Sequence, residues 1–328
     1  MRARSACAFA LCAILLGLLA LVPHAATAQS YPSRTVTVVV PFPPGGSVDG
    51  VARILVQKLN ETAGQHFIVE NRAGGASGIV GANAVAKARS DGYTLLVSAS
   101  VHVINPLLYK SVPYDVVKDF TPVMLLAEGP LIVSTAPNVP ADNLKDFFAL
   151  VRKEPQKFTF GATTIGSASH LAIELLKREA GLDTLVISYK GTAPALTDLM
   201  GGQIQLLADP MLSSLPLARG GQIKALALTS SKRAAVAPEI PIVAESGMHG
   251  FDFVSWYGLW GPKNLPADVS NVLQSDVAKV LALSDVKQRF NQLGFEPIGA
   301  PSDEFATYIR SEMAKAGKII TDAKIKVE

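Results

Sequence analysis

Pro43, Pro44, Gly45, Gly46 and Ser47 stand where a β-branched run, Val38-Val39-Val40, gives way to a periodic apolar stretch that begins at Val48 and Asp49. Strand, prolines, paired glycines and helix start come in the order that can seat an anion. The glycines allow close backbone approach and positive φ, Ser47 can cap the helix, and the first N–H groups of a helix have no partner inside it. A proline-stiffened turn accounts for the same residues. A P-loop is excluded because no Gly-Lys-Ser/Thr follows, and the spacing is not Gly-x-Gly-x-x-Gly.

A second strand-loop-helix junction runs Gly161-Ala162-Thr163-Thr164-Ile165-Gly166-Ser167-Ala168-Ser169-His170. Its hydroxyls are neutral donors for a carboxylate, and Gly-x-Ser-x-Gly, the spacing of a hydrolase elbow, is missing. His170 falls in the first turns of the helix, where a structural role is favoured over ligand contact. At Tyr189-Lys190-Gly191-Thr192 a strand end again meets a helix start. Lys190 is either a counter-charge or a solvated lysine. Asp209, before Pro210, can accept from a ligand amine or hydroxyl, or simply start a turn. Ser98 and Ser100, past the apolar run at Thr94 to Val97, complete the candidate set. Asn71-Arg72-Ala73-Gly74-Gly75-Ala76-Ser77-Gly78 reads as a structural turn, since neither a lysine nor a metal-binding acid accompanies its glycines.

The elements that must position these loops alternate. Strands are expected at Val36 to Val40, His66 to Glu70, Thr94 to Val97, Val123 to Ala127, Leu131 to Ser134, Phe158 to Gly161, Leu185 to Tyr189, Ile204 to Ala208 and Ile223 to Leu228. A helix is expected from about Val48 to Leu59, and helices fill most other gaps. The pattern predicts a mixed α/β architecture with mainly parallel sheets. Pro266 to Lys324 reads as a mostly helical cover with one extended segment at Phe295 to Ile298. There is no long Gly/Ser linker, so a second lobe must be an insertion, crossed by strands near Ala127 to Ser134 and Gly247 to Ser255.

Arg2 and Arg4 precede an apolar stretch from Ala6 to Val22 and an Ala26-Thr27-Ala28 exit, the pattern of a cleaved secretory leader with Gln29 as the new N-terminus. Phe9-Ala10-Leu11 before Cys12 does not resemble a lipid-attachment site. Both cysteines, Cys7 and Cys12, fall in that leader, so a disulfide, thiolate metal site or cysteine nucleophile is not expected afterwards. Of 30 Lys and Arg, two leave with the leader and the remainder nearly balances 27 Asp and Glu. Basic residues are scattered, which weighs against a nucleic-acid partner and a polybasic membrane patch. His66, His102, His170 and His249 lack ligand spacing, so no metal or other cofactor is expected. No nucleophile with a base, and no carboxylate pair, stands at a spacing that suggests catalysis.

The chain resembles the Bug or TctC family, extracytoplasmic receptors of tripartite tricarboxylate transporters. The resemblance rests on Val39-Val40-Pro41-Phe42-Pro43-Pro44-Gly45-Gly46, Val69-Glu70-Asn71-Arg72, Asp91-Gly92-Tyr93-Thr94-Leu95-Leu96 and Asn105-Pro106-Leu107-Leu108-Tyr109. It extends through Pro113-Tyr114-Asp115, Tyr189-Lys190-Gly191 and Ala225-Leu226-Ala227-Leu228-Thr229. It implies a two-lobed periplasmic binding protein fold of type II character, with two mixed sheets flanked by helices and the ligand cleft between lobes. The lobes would comprise residues 29–130 with 250–328, and 131–249. It further implies a monomer that closes on a small carboxylate and delivers it to membrane transporter subunits, or presents it to a membrane sensor. The gripping loops would be Pro43 to Asp49 and Ala162 to Ser167, acting through backbone groups, hydroxyls and water. The family often writes the second as Gly-Ser-x-Gly-x-Gly-Ser; Ala162 and Thr164 depart from that, which implies a reshaped seat.

Overall fold

Val36–Val40 (β1) is β-branched at every position and almost wholly buried, as a strand covered on both faces must be. It pairs in parallel with Phe67–Asn71 (β2) on one side and Thr94–Ala99 (β3) on the other. Between β1 and β2 lies the helix Ser47–Thr62 (α1). Its buried Val48, Val51, Ala52, Leu55 and Leu59 recur at helical spacing and form the stripe that packs on the sheet. The computed structural model describes residues 31–62 and 66–325. The expected leader, with Cys7 and Cys12, lies outside them. From Arg34 onward the chain is one compact unit.

Two short helices follow the neighbouring strands, Ile79–Ala86 (α2) and Val101–Leu108 (α3). Phe120–Thr135 (β4) then runs for 16 residues. The remaining elements are Leu144–Lys153 (α4), Thr159–Ala162 (β5), Ala168–Ala180 (α5), Leu185–Ser188 (β6) and Thr192–Met200 (α6). Leu206–Pro210 (β7), Met211–Arg219 (α7), Lys224–Leu228 (β8) and Val254–Pro262 (β9) come next. The chain closes with Ala267–Ala282 (α8), Ser284–Gln292 (α9), Glu296–Pro301 (β10) and Ser302–Asp322 (α10).

Among the described residues the strand order is β2-β1-β3-β9-β4-β7-β5-β6, with β10 and β8 also paired to β4. The expectation of mainly parallel sheets is corrected by β4 and β9. β4 runs antiparallel to β7, β8, β9 and β10, and β9 antiparallel to β3, so among these strands parallel ladders are confined to β1 with β2 and β3, and β5 with β6 and β7. The two strands expected at Val123 to Ala127 and Leu131 to Ser134 are one. Pro130, which has no N–H to give a ladder, lies inside the crossing expected near Ala127 to Ser134. It sits where β4 exchanges partners: Phe120 to Pro130 face β9, and Leu131 to Thr135 face β7.

The core is densest around β9. Trp256, Tyr257 and Trp260 are fully buried there, with Phe305 of α10 against both indoles at 5.9 and 5.1 Å. α10 also packs against α3 and α5, which follow β3 and β5 on opposite sides of β4 in the strand order.

Candidate functional site

The β1–α1 turn is built by its own side chains. Gly45 takes φ 87°, a conformation that glycine adopts without a Cβ penalty. Its N–H donates to Asp49 Oδ2 at 2.9 Å, Arg53 Nε donates to the same oxygen at 2.8 Å, and Asn71 Nδ2 donates to Oδ1 at 2.9 Å. Burial pushes the Asp49 carboxyl up, but hydrogen bonds from Arg53, Gly45 and Asn71 together outweigh it and hold the group below the ordinary range. Asp49 is therefore an ionised clasp for the loop. Beyond Gly45, the N–H groups of Gly46, Ser47 and Val48 have no acceptor among the described residues.

The β5–α5 loop is clasped in a similar way. Thr163 N–H donates to Ser169 Oγ at 3.1 Å, Ser167 caps α5 by accepting from His170 N–H, and Gly166 N–H donates to His170 Nδ1 at 3.1 Å. Burial, reinforced by the charge of Lys177, lowers the His170 pKa to about 4, so the ring is neutral and Nδ1 is free to accept. His170 holds the loop from behind and does not line the cavity. A second tether comes from Ser77, whose hydroxyl donates to Ile165 O at 2.8 Å while its backbone sits at φ 53°. Thr164, Ile165 and Ala168 keep N–H groups without an acceptor among the described residues.

These loops face a cavity of about 740 Å³. Pro43, Pro44, Gly45, Gly46, Ser47 and Asp49 line it from the first loop, Thr163, Thr164 and Ser167 from the second, Lys190, Gly191 and Thr192 from the β6–α6 junction, and Ser100 from the start of α3. Of the remaining expected residues, Ser98, Ala162, Gly166 and Asp209 are not part of the lining. Ser98 precedes Ala99 on β3, and strand alternation turns it to the other face. Ala162 ends β5 beneath the loop. Gly166 supplies a φ of 74° where a Cβ would overlap Leu108. Asp209 is fully buried behind the wall.

Several lining residues were not legible in the sequence. Phe42 and Val48 flank the glycines, Leu212 and Ser213 open α7, and Ser255 and Tyr257 come from β9. Their signal would have been alternation along Val254 to Leu259, but nothing in the sequence says which face of β9 meets a cavity. The Ser255 hydroxyl donates to the Tyr257 oxygen at 3.2 Å. Burial pushes that phenol up to about 12, against hydrogen bonds to Ser255 and Ser47.

Five helices, α1, α3, α5, α6 and α7, begin at this cavity, each directly after a strand. Helix starts combine unpaired N–H groups with a partial positive charge, and the ends of β1, β3, β5, β6 and β7 converge as in α/β ligand sites. The charged lining residues are Asp49, already matched by Arg53, and the exposed Lys190, which makes no ion pair among the described residues. Hydroxyls supply most of the remaining polarity. The arrangement can hold an anion with neutral donors. Among the described residues no group of three or more His, Asp or Glu is placed to hold a metal ion, and no helix is long and apolar enough to cross a membrane.

Comparison with known proteins agrees with this geometry. The family described as "Tripartite tricarboxylate transporter family receptor" matches residues 51–325. The periplasmic binding protein BugD superposes with a TM-score of 0.84 at 34% identity, covering 91% of this chain and 100% of that one. Rpa4515 of R. palustris, solved with adipate, gives 0.87 at 34% identity over 90% and 99% of the two chains. MatC from Rhodopseudomonas palustris, solved with bound malate, gives 0.81 at 33% over 88% and 100%. The fold is that of a periplasmic binding protein, and the chain belongs to the tripartite tricarboxylate transporter receptor family, the Bug or TctC receptors.

Proposed function

We propose that this chain is an extracytoplasmic receptor that captures a small organic acid through its carboxylate and passes it to membrane transporter subunits, without turning it over. The observation that carries the reading is the convergence of five helix starts on one cavity whose sole unpaired cation is Lys190 among the described residues. The carboxylate is held by the free backbone N–H groups of Gly46, Ser47, Val48, Thr164 and Ala168, with Ser47, Ser100, Thr163 and Thr192 adding hydroxyls. The adipate and malate of the two relatives support a carboxylate ligand. The protein acts as a monomer in the periplasm after loss of its leader. Its lobes, residues 29–130 with 250–328 and residues 131–249, close on the ligand about the partner exchange in β4.

The reading is tested by thermal shift of the purified protein from Gln29 onward against dicarboxylates, tricarboxylates, amino acids and aromatic acids. A ligand that binds only the folded state at about 100 times its Kd adds roughly 2.7 kcal/mol of stability. Stabilisation by one class of acid supports the proposal. Stabilisation only by neutral or cationic solutes, or sustained conversion of a bound acid, overturns it.

A further inference from the structure

Asp209 is a carboxyl with no counter-ion. It is the penultimate residue of β7 and fully buried, with Oδ1 accepting from Thr192 Oγ1 at 3.0 Å and Oδ2 accepting from Ser214 Oγ at 3.0 Å. The groups packed around it do not neutralise it. β4 sets Ile132 in register opposite, and β5, Thr159–Ala162, has no ionisable side chain. On α5, His170 accepts from Gly166 while Glu174 pairs with Lys177. On α6, Asp198 accepts from the Tyr189 hydroxyl, and on α7, Arg219 donates to Val236 O. The remaining neighbour is the Tyr257 phenol of β9, which feels the Asp209 charge. Burial pushes the Asp209 carboxyl up to about 7, with the Thr192 and Ser214 hydroxyls drawing it down.

Thr192 stands between this carboxyl and the cavity, which it lines. A threonine hydroxyl has one proton to donate. While Asp209 is ionised that proton faces inward, and Thr192 turns only lone pairs to an incoming carboxylate. We propose that Asp209 is a proton-binding site coupled to the cavity, so that capture of a carboxylate draws one proton from solvent onto Asp209. The protonated carboxyl then donates to Thr192 Oγ1, and the Thr192 O–H turns to the ligand. No bond other than these O–H bonds changes, and the ligand charge is balanced by the proton taken up. Two carboxylates near one another in a poorly solvated site favour the same outcome, because both cannot readily stay ionised. The inference rests on the carboxylate reading above.

The test uses adipate and malate as probes, with Asp209→Asn as the variant, since an Asn Nδ2 donates permanently to Thr192 and nearly preserves the shape. Carbon NMR of labelled aspartate carboxyls in the free protein is expected to show a signal that titrates near neutrality and is missing in Asp209→Asn. Saturating adipate or malate should move that titration to higher pH. At pH above the free titration point, calorimetry in buffers of different ionisation heat should show uptake approaching one proton per ligand, and well below it the uptake should vanish. Above the free titration point, affinity should fall roughly tenfold per pH unit, and Asp209→Asn should lose both the uptake and the slope. Uptake unchanged in the variant overturns the proposal. So does affinity that falls on acidification, the behaviour of an ionised Asp209 that accepts from a ligand amine or hydroxyl. If Asp209 titrates near neutrality but neither these two acids nor any acid of the thermal-shift set binds at any pH, the carboxylate reading fails and the coupling falls with it. Titration of Asp209 in the ordinary carboxylate range removes the proton site whatever binds.

Discussion

His102 is fully buried with neither ring nitrogen partnered among the described residues, packed between Phe120 at 4.6 Å, Trp260 at 5.1 Å and Tyr114 at 5.3 Å. Burial lowers its pKa to about 3, as it lowers that of His170 to about 4. Both values lie below that of an unfolded histidine, about 6.5, so the unfolded chain binds protons first as the solution is acidified. The stability held by the neutral rings is therefore complete above about pH 6.5 and is lost as pH falls toward the folded values, by up to ~1.4 kcal/mol per pH unit for each ring. His102→Leu should flatten the fall in urea midpoint between neutral and mildly acid pH, and an unchanged slope would refute the assignment. A second residue-scale prediction concerns the seat. Gly46 has a φ outside the positive range, and a Cβ there meets nothing within 4 Å, so Gly46→Val should fold normally and fill space that the ligand needs. Calorimetry should show its Kd raised by a factor of about ten or more, whereas Lys190→Ala, which removes one exposed charge, should cost no more than roughly 1 kcal/mol. The reverse ranking would mean that ion pairing, not helix starts, holds the ligand.

The loops on which these residues sit are tied down from other elements. Ser77 lies in the turn before α2, is buried in an αL conformation, and donates to Ile165 O in the β5–α5 loop, while Asn105 of α3 donates to its carbonyl at 3.1 Å. A non-glycine residue at φ 53° carries a strain that neighbouring contacts must offset. Ser77→Ala should remove a hydrogen bond worth about 1 kcal/mol and raise the Kd several-fold although Ser77 is not in the cavity lining. Titration calorimetry checks this, and an unaltered Kd would show that the tether does not position the loop. At this scale α1 was legible, because apolar residues at helical spacing define it locally, although the turn before it is held by Asp49 and not by a Ser47 cap. The crossing near Ala127 to Ser134 was also legible, but its fusion with Val123 to Ala127 into one 16-residue strand was not, because that continuity is set by pairing first to β9 and then to β7.

Across the described residues, β4 passes from β9 to β7, and α10 packs against both α3 and α5, so the two halves of the strand order are linked by a strand and a helix. If ligand draws the lobes together about that exchange, small-angle scattering should give a smaller radius of gyration with saturating ligand than without, and identical values would refute closure. The sequence by itself determined the alternation of strands and helices, the three glycine- and hydroxyl-rich junctions and the family, because caps, turns and apolar periods are written in neighbouring residues. The tertiary structure decided which junctions share one cavity, that Tyr257 and Ser255 enter it from β9, and that Asp209 lies behind the wall with Thr192 between. Those facts depend on strand order and on the face each strand presents, and both are set by pairing between residues far apart in the chain.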